Sequence, residues 1–394
     1  MYDLLLNYYA HLSADLLNGC KTTAYDGTIL YTPDGVENYN GLWLRDFSYM
    51  VEYSGLVPKI DIIRCINYSI AHRRKDGWMP DRVYGDGTAV YAAGATGYPI
   101  GEANLDTTPF LIFTVYSLFQ LMADDSPAEF KALYSKWMPY LENGMDIIPL
   151  SDSGLVYNDP FHPHSPYGFT DTVCKTGELF YESLLYWRAC RMMLEINKAC
   201  RIISSFNYEK HLLDIQRAIV KLFDNTTGCF FAATEDCCQP DIWGMMYMLY
   251  IGFPCGKEIA DKTTGYLFNN RDRYLYQGQV RHLPKGEYWQ RLLIDVPHET
   301  YQNGAFWATA SGWALWVLAS KDFSIAAQEL VKLVNYMVTY GSFECVNEGY
   351  QKLGSMVVSA TNVYGGLRRL GETENFRGFI DQNYAAQFPV IPAF

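Results

Sequence analysis

The chain has 394 residues, 49% hydrophobic and 19% charged, enough to bury a large core. Its formal charge of −12, with no basic run, argues against nucleic acid or an anionic membrane surface as a partner. Aromatic residues reach 16%, with 32 Tyr and 9 Trp, which suits a Tyr-rich core or flat platforms for sugar rings.

The chain opens on "MYDLLLNYYAHLSADLLNG", which reads as an amphipathic surface helix. It lacks the basic region and small-residue cleavage site of a secretory leader, so a cytoplasmic protein is expected. No run of about 18 uncharged apolar residues spans a membrane. Helical periodicity continues through 46–55, 58–73, 107–123, 127–147, 175–197, 208–223, 240–251, 256–267, 304–319, 322–339, 358–370 and 372–386. Start signals support two of these, Ser126-Pro127 and Asp106-Thr107-Thr108-Pro109.

Long Gly/Pro/Tyr-rich connections at 18–42, 75–105, 148–173, 225–238, 268–302 and 340–357 roughly alternate with short ones. Loops of that length are usually functional. Helical hairpins closed into one ring, with the long loops gathered at one end, produce this alternation. The expectation is therefore an all-α (α/α)6 toroid, or six-hairpin barrel, forming a single domain over 1–394. No 34- or 40-residue repeat supports a solenoid. "GTILYTPDGV" and "GCFFAATED" read as minor β-hairpin pieces on the loops.

The ten cysteines include Cys237-Cys238 but no C-x-x-C, so neither a disulfide framework nor zinc spacing is read. His162 and His164 in "FHPHSP" lack a third ligand, and no metal or other cofactor is expected. Nucleophile elbows and phosphate loops are absent from the sequence.

The chemistry-bearing acids sit in the long loops. "NGLWLRDFSYM" sets Arg45 and Asp46 beside Trp43, either as a structural ion pair or as the floor of a polar-ligand site. "DGWMPDRVYGDG" mixes Trp78, Asp81, Arg82 and Tyr84. Asp171 in "GFTDTVCKTGELFYESLLYW" precedes a helix, where it could equally cap free N–H groups. Glu344 and Glu348 in "SFECVNEGYQKLG" are either solvated loop acids or chemistry. "IDVPHETYQNGAFWATASGW" brings His298, Glu299, Gln302, Asn303 and Trp307 together. Two carboxylates from different loops of one barrel face are what glycoside hydrolysis needs, one protonated and one ionised.

Together these segments resemble the six-hairpin glycosidases, which include glucoamylases, glycoside hydrolase family 63 and amylo-α-1,6-glucosidases. "LWLRDFSYM" looks like their W-x-R-D segment, "ANLDTTPFLIF" resembles their D-T-T-P helix start, and "TDTVCKTGELFYESLLYW" looks like the segment holding their general acid. "YQNGAFWATASGW" is similar to their Y-H/Q-N-G-x-x-W segment, and "FECVNEGYQKLG" to F-E-x-Y-N-P-x-x-G, which holds the base. The resemblance implies Asp171 as acid, Glu344 as base, and Trp43, Arg45, Asp46, Trp78, Asp106, Gln302, Asn303, Trp307 and Glu348 as sugar contacts. This chain departs from the pattern at Phe169-Thr170, where the family has Trp before the acid, and at Thr172, where it has Ser. Glu348 stands in place of Pro and is a second candidate for the base.

The activity implied is exo-acting, inverting hydrolysis of a terminal sugar, α-linked glucosyl or mannosyl, with an oligosaccharide or small glycoside as the partner molecule. Other enzymes on this barrel stay open. An epimerase would use paired histidines such as His282 or His298, and a lyase or unsaturated uronyl hydrolase would turn a basic pair such as Arg82 and Arg281 on the pocket. A non-catalytic sugar-binding toroid is a further alternative.

Overall fold

The computed structural model describes residues 1–95 and 98–392; residues 96–97 of the predicted 75–105 connection lie outside it. Thirteen α-helices occur among the described residues. They are α1 Tyr2–Gly19, α2 Leu44–Tyr49, α3 Lys59–Ala71, α4 Thr107–Met122, α5 Pro127–Asp146, α6 Phe180–Cys200 and α7 Tyr208–Ala218. Next come α8 Ile242–Tyr250, α9 Lys257–Asn270, α10 Ser311–Ala319, α11 Phe323–Tyr340, α12 Val357–Gly371 and α13 Glu374–Asn383. A five-residue π-helix, Met50–Ser54, extends α2.

Which helices lie inside follows from their sequence. The stretches "IWGMMYMLY" (α8) and "SGWALWVLA" (α10) are apolar all round, and nearly every residue in them is buried. Such helices must be covered on all sides. By contrast, α7 and α13 carry an apolar stripe opposite a charged face, the pattern of an outer helix. Contacts obey this division. The even helices touch in succession, α2 to α4, α6, α8, α10 and α12, and α12 returns to α2 and the 50–54 turn. Odd helices lie against them: α1 on α12, α3 on α4, α5 and α7 on α6, α9 on α8, and α11 on α10. The thirteenth helix touches α1, α11 and α12. At the α10–α12 crossing the backbones meet so closely that a Cβ on Gly366 would lie 2.5 Å from Gly312 Cα.

Both predicted hairpin pieces form: Ile29–Tyr31 pairs with Lys21–Thr23, and Cys229–Phe230 with Phe223–Asp224. Two helices start later than periodicity suggests. Gly177 has φ +82°, outside helical range, and residues 177–178 pair with 157–158, so α6 begins at Phe180. Phe306–Trp307 joins a five-stranded antiparallel sheet, delaying α10 to Ser311. That sheet runs in the order 275–276, 279–281, 306–307, 343–347 and 350–354, entirely within segments read as loops or helix from sequence. Among the described residues no helix is long and apolar enough to cross a membrane, and the ten cysteines are unpaired.

Candidate active site

Connections leading into even-numbered helices converge on one pocket. The segment before α2 supplies Pro33, Tyr39 and Trp43, and the first turn of α2 supplies Arg45 and Asp46; the segment before α6 supplies Gly168, Phe169 and Asp171. Tyr301 comes from the connection before α10, and Glu344 from that before α12. An outer vestibule shares Tyr39, Trp43, Asp171 and Tyr301 with the pocket and adds Asn38, Arg82, Tyr84, Thr172 and Ile294. Asp171 thus stands at the junction of the two spaces, whereas Arg45, Asp46 and Glu344 line only the inner one.

Arg45 is nearly inaccessible and its charge is met elsewhere than the sequence suggests. Nε donates to Asp106 Oδ2 at 2.7 Å, and Nη2 to Asp81 Oδ1 at 3.2 Å and to Asp106 Oδ1 at 3.3 Å. Asp46, its neighbour in sequence, is reached only by Nη1 at 4.0 Å. The adjacent Arg-Asp is therefore not the ion pair; Asp106 and Asp81 hold the guanidinium. The Gly168 backbone lies flat against that group, since a Cβ there would sit 1.5 Å from Arg45 Cζ. Gly168 N–H also donates to Asp106 Oδ2 at 3.0 Å. Asp46 is left as a buried carboxyl facing the pocket, its Oδ1 without a partner among the described residues. Burial, partly opposed by Arg45, pushes its pKa to about 7.

Asp171 is partly accessible, as a group that must meet a ligand has to be. Gln302 Nε2 donates to its Oδ1 at 2.7 Å. Gln302 is itself fixed, donating to Gly168 O and accepting from the Thr172 N–H and hydroxyl. Desolvation raises the Asp171 pKa to about 7, against the pull of Arg45 and Gln302. Glu344 lies on the 343–347 strand, buried, and accepts hydrogen bonds from Tyr39 Oη at 2.8 Å and from Lys352 Nζ. Burial raises its pKa, with the Lys352 ammonium as the largest opposing influence. Lys352 Nζ also sits 3.6 Å from the Tyr301 ring centroid, a cation–π contact.

Several expected sugar contacts do not line either space, and the reasons are local. Asp106 is fully buried under Arg45. Trp78 packs against His164, centroids 5.2 Å apart and rings inclined at 37°, and does not line the pocket. Asn303 is used to tie its own long connection together, accepting from Trp289 N–H and donating to Val296 O. Trp307 is fully buried, edge-on to Phe169 at 5.5 Å, and supports the pocket wall from behind. Gln302 acts on Asp171 and does not reach the pocket surface. Glu348 is exposed at the tip of the 343–354 hairpin, so of the two glutamates only Glu344 faces the pocket.

Tyr39, Tyr301 and Lys352 were missed in the sequence. Tyr301 holds φ at +40°, unusual for a bulky residue and a feature that clusters at functional sites. Lys352 reaches Glu344 through the hairpin register, in which Cys345 faces Lys352. No sequence signal gives that register.

The groups required by other chemistries lie elsewhere. His282 is buried against Trp243, and His298 is stacked on Tyr288 at 3.7 Å; neither lines the pocket. Arg281 is paired with Glu299 at 3.0 Å. Arg82 does face the vestibule, but its donors go to Tyr84 Oη, Asp81 and the carbonyls of Ala92 and Gly94. Among the described residues no group of three or more His, Cys, Asp or Glu is placed to hold a metal ion.

No family profile and no curated protein matches the sequence. Solved structures share its fold. A family 63 mannosylglycerate hydrolase from Thermus thermophilus, in complex with Tris and D-glycerate, is 12% identical with a TM-score of 0.65, covering 91% of this chain and 99% of that chain. The fold is one that glycoside hydrolases share. A rhamnosidase from Klebsiella oxytoca with rhamnose bound is 12% identical at a TM-score of 0.64, covering 93% of this chain and 64% of that chain. An uncharacterised conserved protein, also from Thermus thermophilus, is 13% identical, TM-score 0.65, over 91% of this chain and 99% of that one.

Proposed function

We propose that the chain is an exo-acting, inverting glycoside hydrolase built as one (α/α)6 toroid, with Asp171 as general acid and Glu344 as general base. The closed succession of even helices, with odd helices outside, supports the toroid and its single domain. The observation that carries the activity is the position of Asp171 at the junction of pocket and vestibule. A terminal sugar held in the pocket puts its scissile oxygen at that junction and its leaving group in the vestibule. Asp171 then reaches the oxygen that must be protonated, while Glu344 faces only the sugar side.

In this reading Asp171, with its pKa near 7, keeps a proton to deliver at neutral pH. Glu344 is held ionised by Lys352 and Tyr39, takes a proton from water, and the resulting hydroxide attacks the anomeric carbon from the opposite face. Asp46 Oδ1 and Arg45 Nη1, an acceptor and a donor not spent on hydrogen bonds within the protein, fit adjacent hydroxyls of the sugar. Free space in the pocket is about 40 Å³, enough for a few waters and less than a sugar ring. Loading therefore requires the pocket lining to move apart.

Substrates are α-glucosides or α-mannosides. Because every Arg82 nitrogen is already committed, a neutral leaving group fits the vestibule better than a carboxylate. The test is a panel of aryl glycosides and disaccharides with NMR of the first-formed anomer. Inverted product is expected. Asp171→Asn and Glu344→Gln should each lower turnover ~10²–10⁴-fold, and Glu348→Gln should leave it unchanged. A retained anomer, or full activity in both pocket variants, refutes the assignment.

A further inference from the structure

A second surface of the molecule has the chemistry of a sugar-binding site. Between the outer face of α11, the tip of the 343–354 hairpin and the turn at 276–277 runs a groove of about 510 Å³. Its walls hold four tyrosines, Tyr276, Tyr336, Tyr340 and Tyr350, with Asn335 and Gln351 between them. Among the described residues that line it, none is charged. On a chain of formal charge −12, with 19% charged residues, an uncharged surface groove is a departure from the rest of the exterior.

The tyrosines are arranged rather than scattered. Tyr336 and Tyr340 are one helical turn apart on α11, ring centroids 5.0 Å apart and inclined at 44°. Tyr340 is 59% exposed at the end of its helix. Gln351 Nε2 donates to Tyr336 Oη at 2.7 Å, which fixes one ring against the hairpin. Glu348, exposed at the hairpin tip beside it, does not line the groove, so its walls are built without ionised side chains. Aromatic faces attract polarised C–H groups, and phenol and amide groups both donate and accept hydrogen bonds. Mutually inclined phenol rings together with uncharged amides match the C–H faces and hydroxyls of a neutral glycan.

We propose that this groove binds a neutral oligosaccharide chain, separately from the pocket. The surface stands on its own chemistry; only its pairing with hydrolysis rests on the reading of Asp171 and Glu344 above. The hairpin links the two places, since its 343–347 strand carries Glu344 and its tip supplies Tyr350 and Gln351. A polymeric or branched substrate anchored in the groove would stay tethered while a terminal sugar is removed.

The experiment measures binding and small-substrate turnover side by side. Binding of maltoheptaose, an α-linked mannotetraose and cellohexaose to the Asp171→Asn protein is followed by calorimetry, so that no ligand is consumed. The same titrations are run with Tyr340→Ala and Gln351→Ala, both at exposed positions, added singly to that background. At least one glycan is expected to bind, and each added substitution is expected to weaken it tenfold or more. In the chain with Asp171 intact, the same two substitutions should leave hydrolysis of an aryl glycoside within twofold of the parent. Equal binding with and without the groove substitutions, or no binding of any of the three glycans, overturns the proposal. Groove-dependent binding without aryl-glycoside hydrolysis would keep this site and sink only the catalytic reading.

Discussion

Lys352→Met tests the electrostatics of the site most directly. The Lys352 ammonium touches Glu344, lies 3.3 Å from Tyr39 Oη, and rests on the Tyr301 ring. Opposite unit charges about 4 Å apart attract by roughly 4 kcal/mol at an effective dielectric of about 20. The lysine side chain is 32% exposed while Glu344 is 4% exposed, so water screens one partner only. Cutting the attraction to about a third leaves ~1.4 kcal/mol, or about one pH unit on Glu344. The sign is fixed: losing a cation favours the protonated carboxyl, so the pKa of Glu344, already raised by burial, rises further. A base must be ionised, so the acidic limb of the kcat/KM profile should move up by about one unit. The alkaline limb, set by Asp171 near pH 7, should stay in place. The bell narrows from its acid side, and activity well below the optimum falls about tenfold. An unmoved acidic limb in a folded Lys352→Met protein would refute Lys352 as the group that keeps Glu344 ionised.

Other expectations follow from the same geometry. Gly168→Ala places a Cβ inside the Arg45 guanidinium; it should lower Tm and kcat/KM together, read by thermal melts and initial rates. Asp106→Asn removes the main partner of a buried cation and should destabilise the fold by about 3–5 kcal/mol in urea melts. Asp46→Asn should do the reverse near neutral pH. The Asp46 pKa is raised from 3.8 to about 7, so the folded state binds the extra proton and stability falls as pH rises between those values. Asp46→Asn should therefore be more stable than the parent at pH 8, by on the order of 4 kcal/mol, and equal to it near pH 3. Its catalytic rate should nonetheless drop, and a variant no more stable relative to the parent at pH 8 than at pH 3 refutes the buried, unpartnered carboxyl.

Much of the helical frame is written in local sequence, because a 3.6-residue period repeats within any one segment. "IWGMMYMLY" and "SGWALWVLA" even declare themselves interior, since an all-round apolar helix can only be stable when covered. The acids Asp171 and Glu344 could be picked out as loop carboxylates, and "LWLRDF" as a polar spot in apolar sequence. What sequence could not decide is which partner each charge finds. Adjacency pointed Arg45 at Asp46, yet Asp81 and Asp106, 36 and 61 residues away, take its hydrogen bonds because their loops fold beneath it. The five-stranded sheet escaped notice because three of its strands are two or three residues long, too short to show a period of two. With the sheet went the register that sets Lys352 beside Glu344 and turns Glu348 out to solvent. Local periodicity determined most of the helices; the long-range closure of loops onto one pocket decided which carboxyls are desolvated.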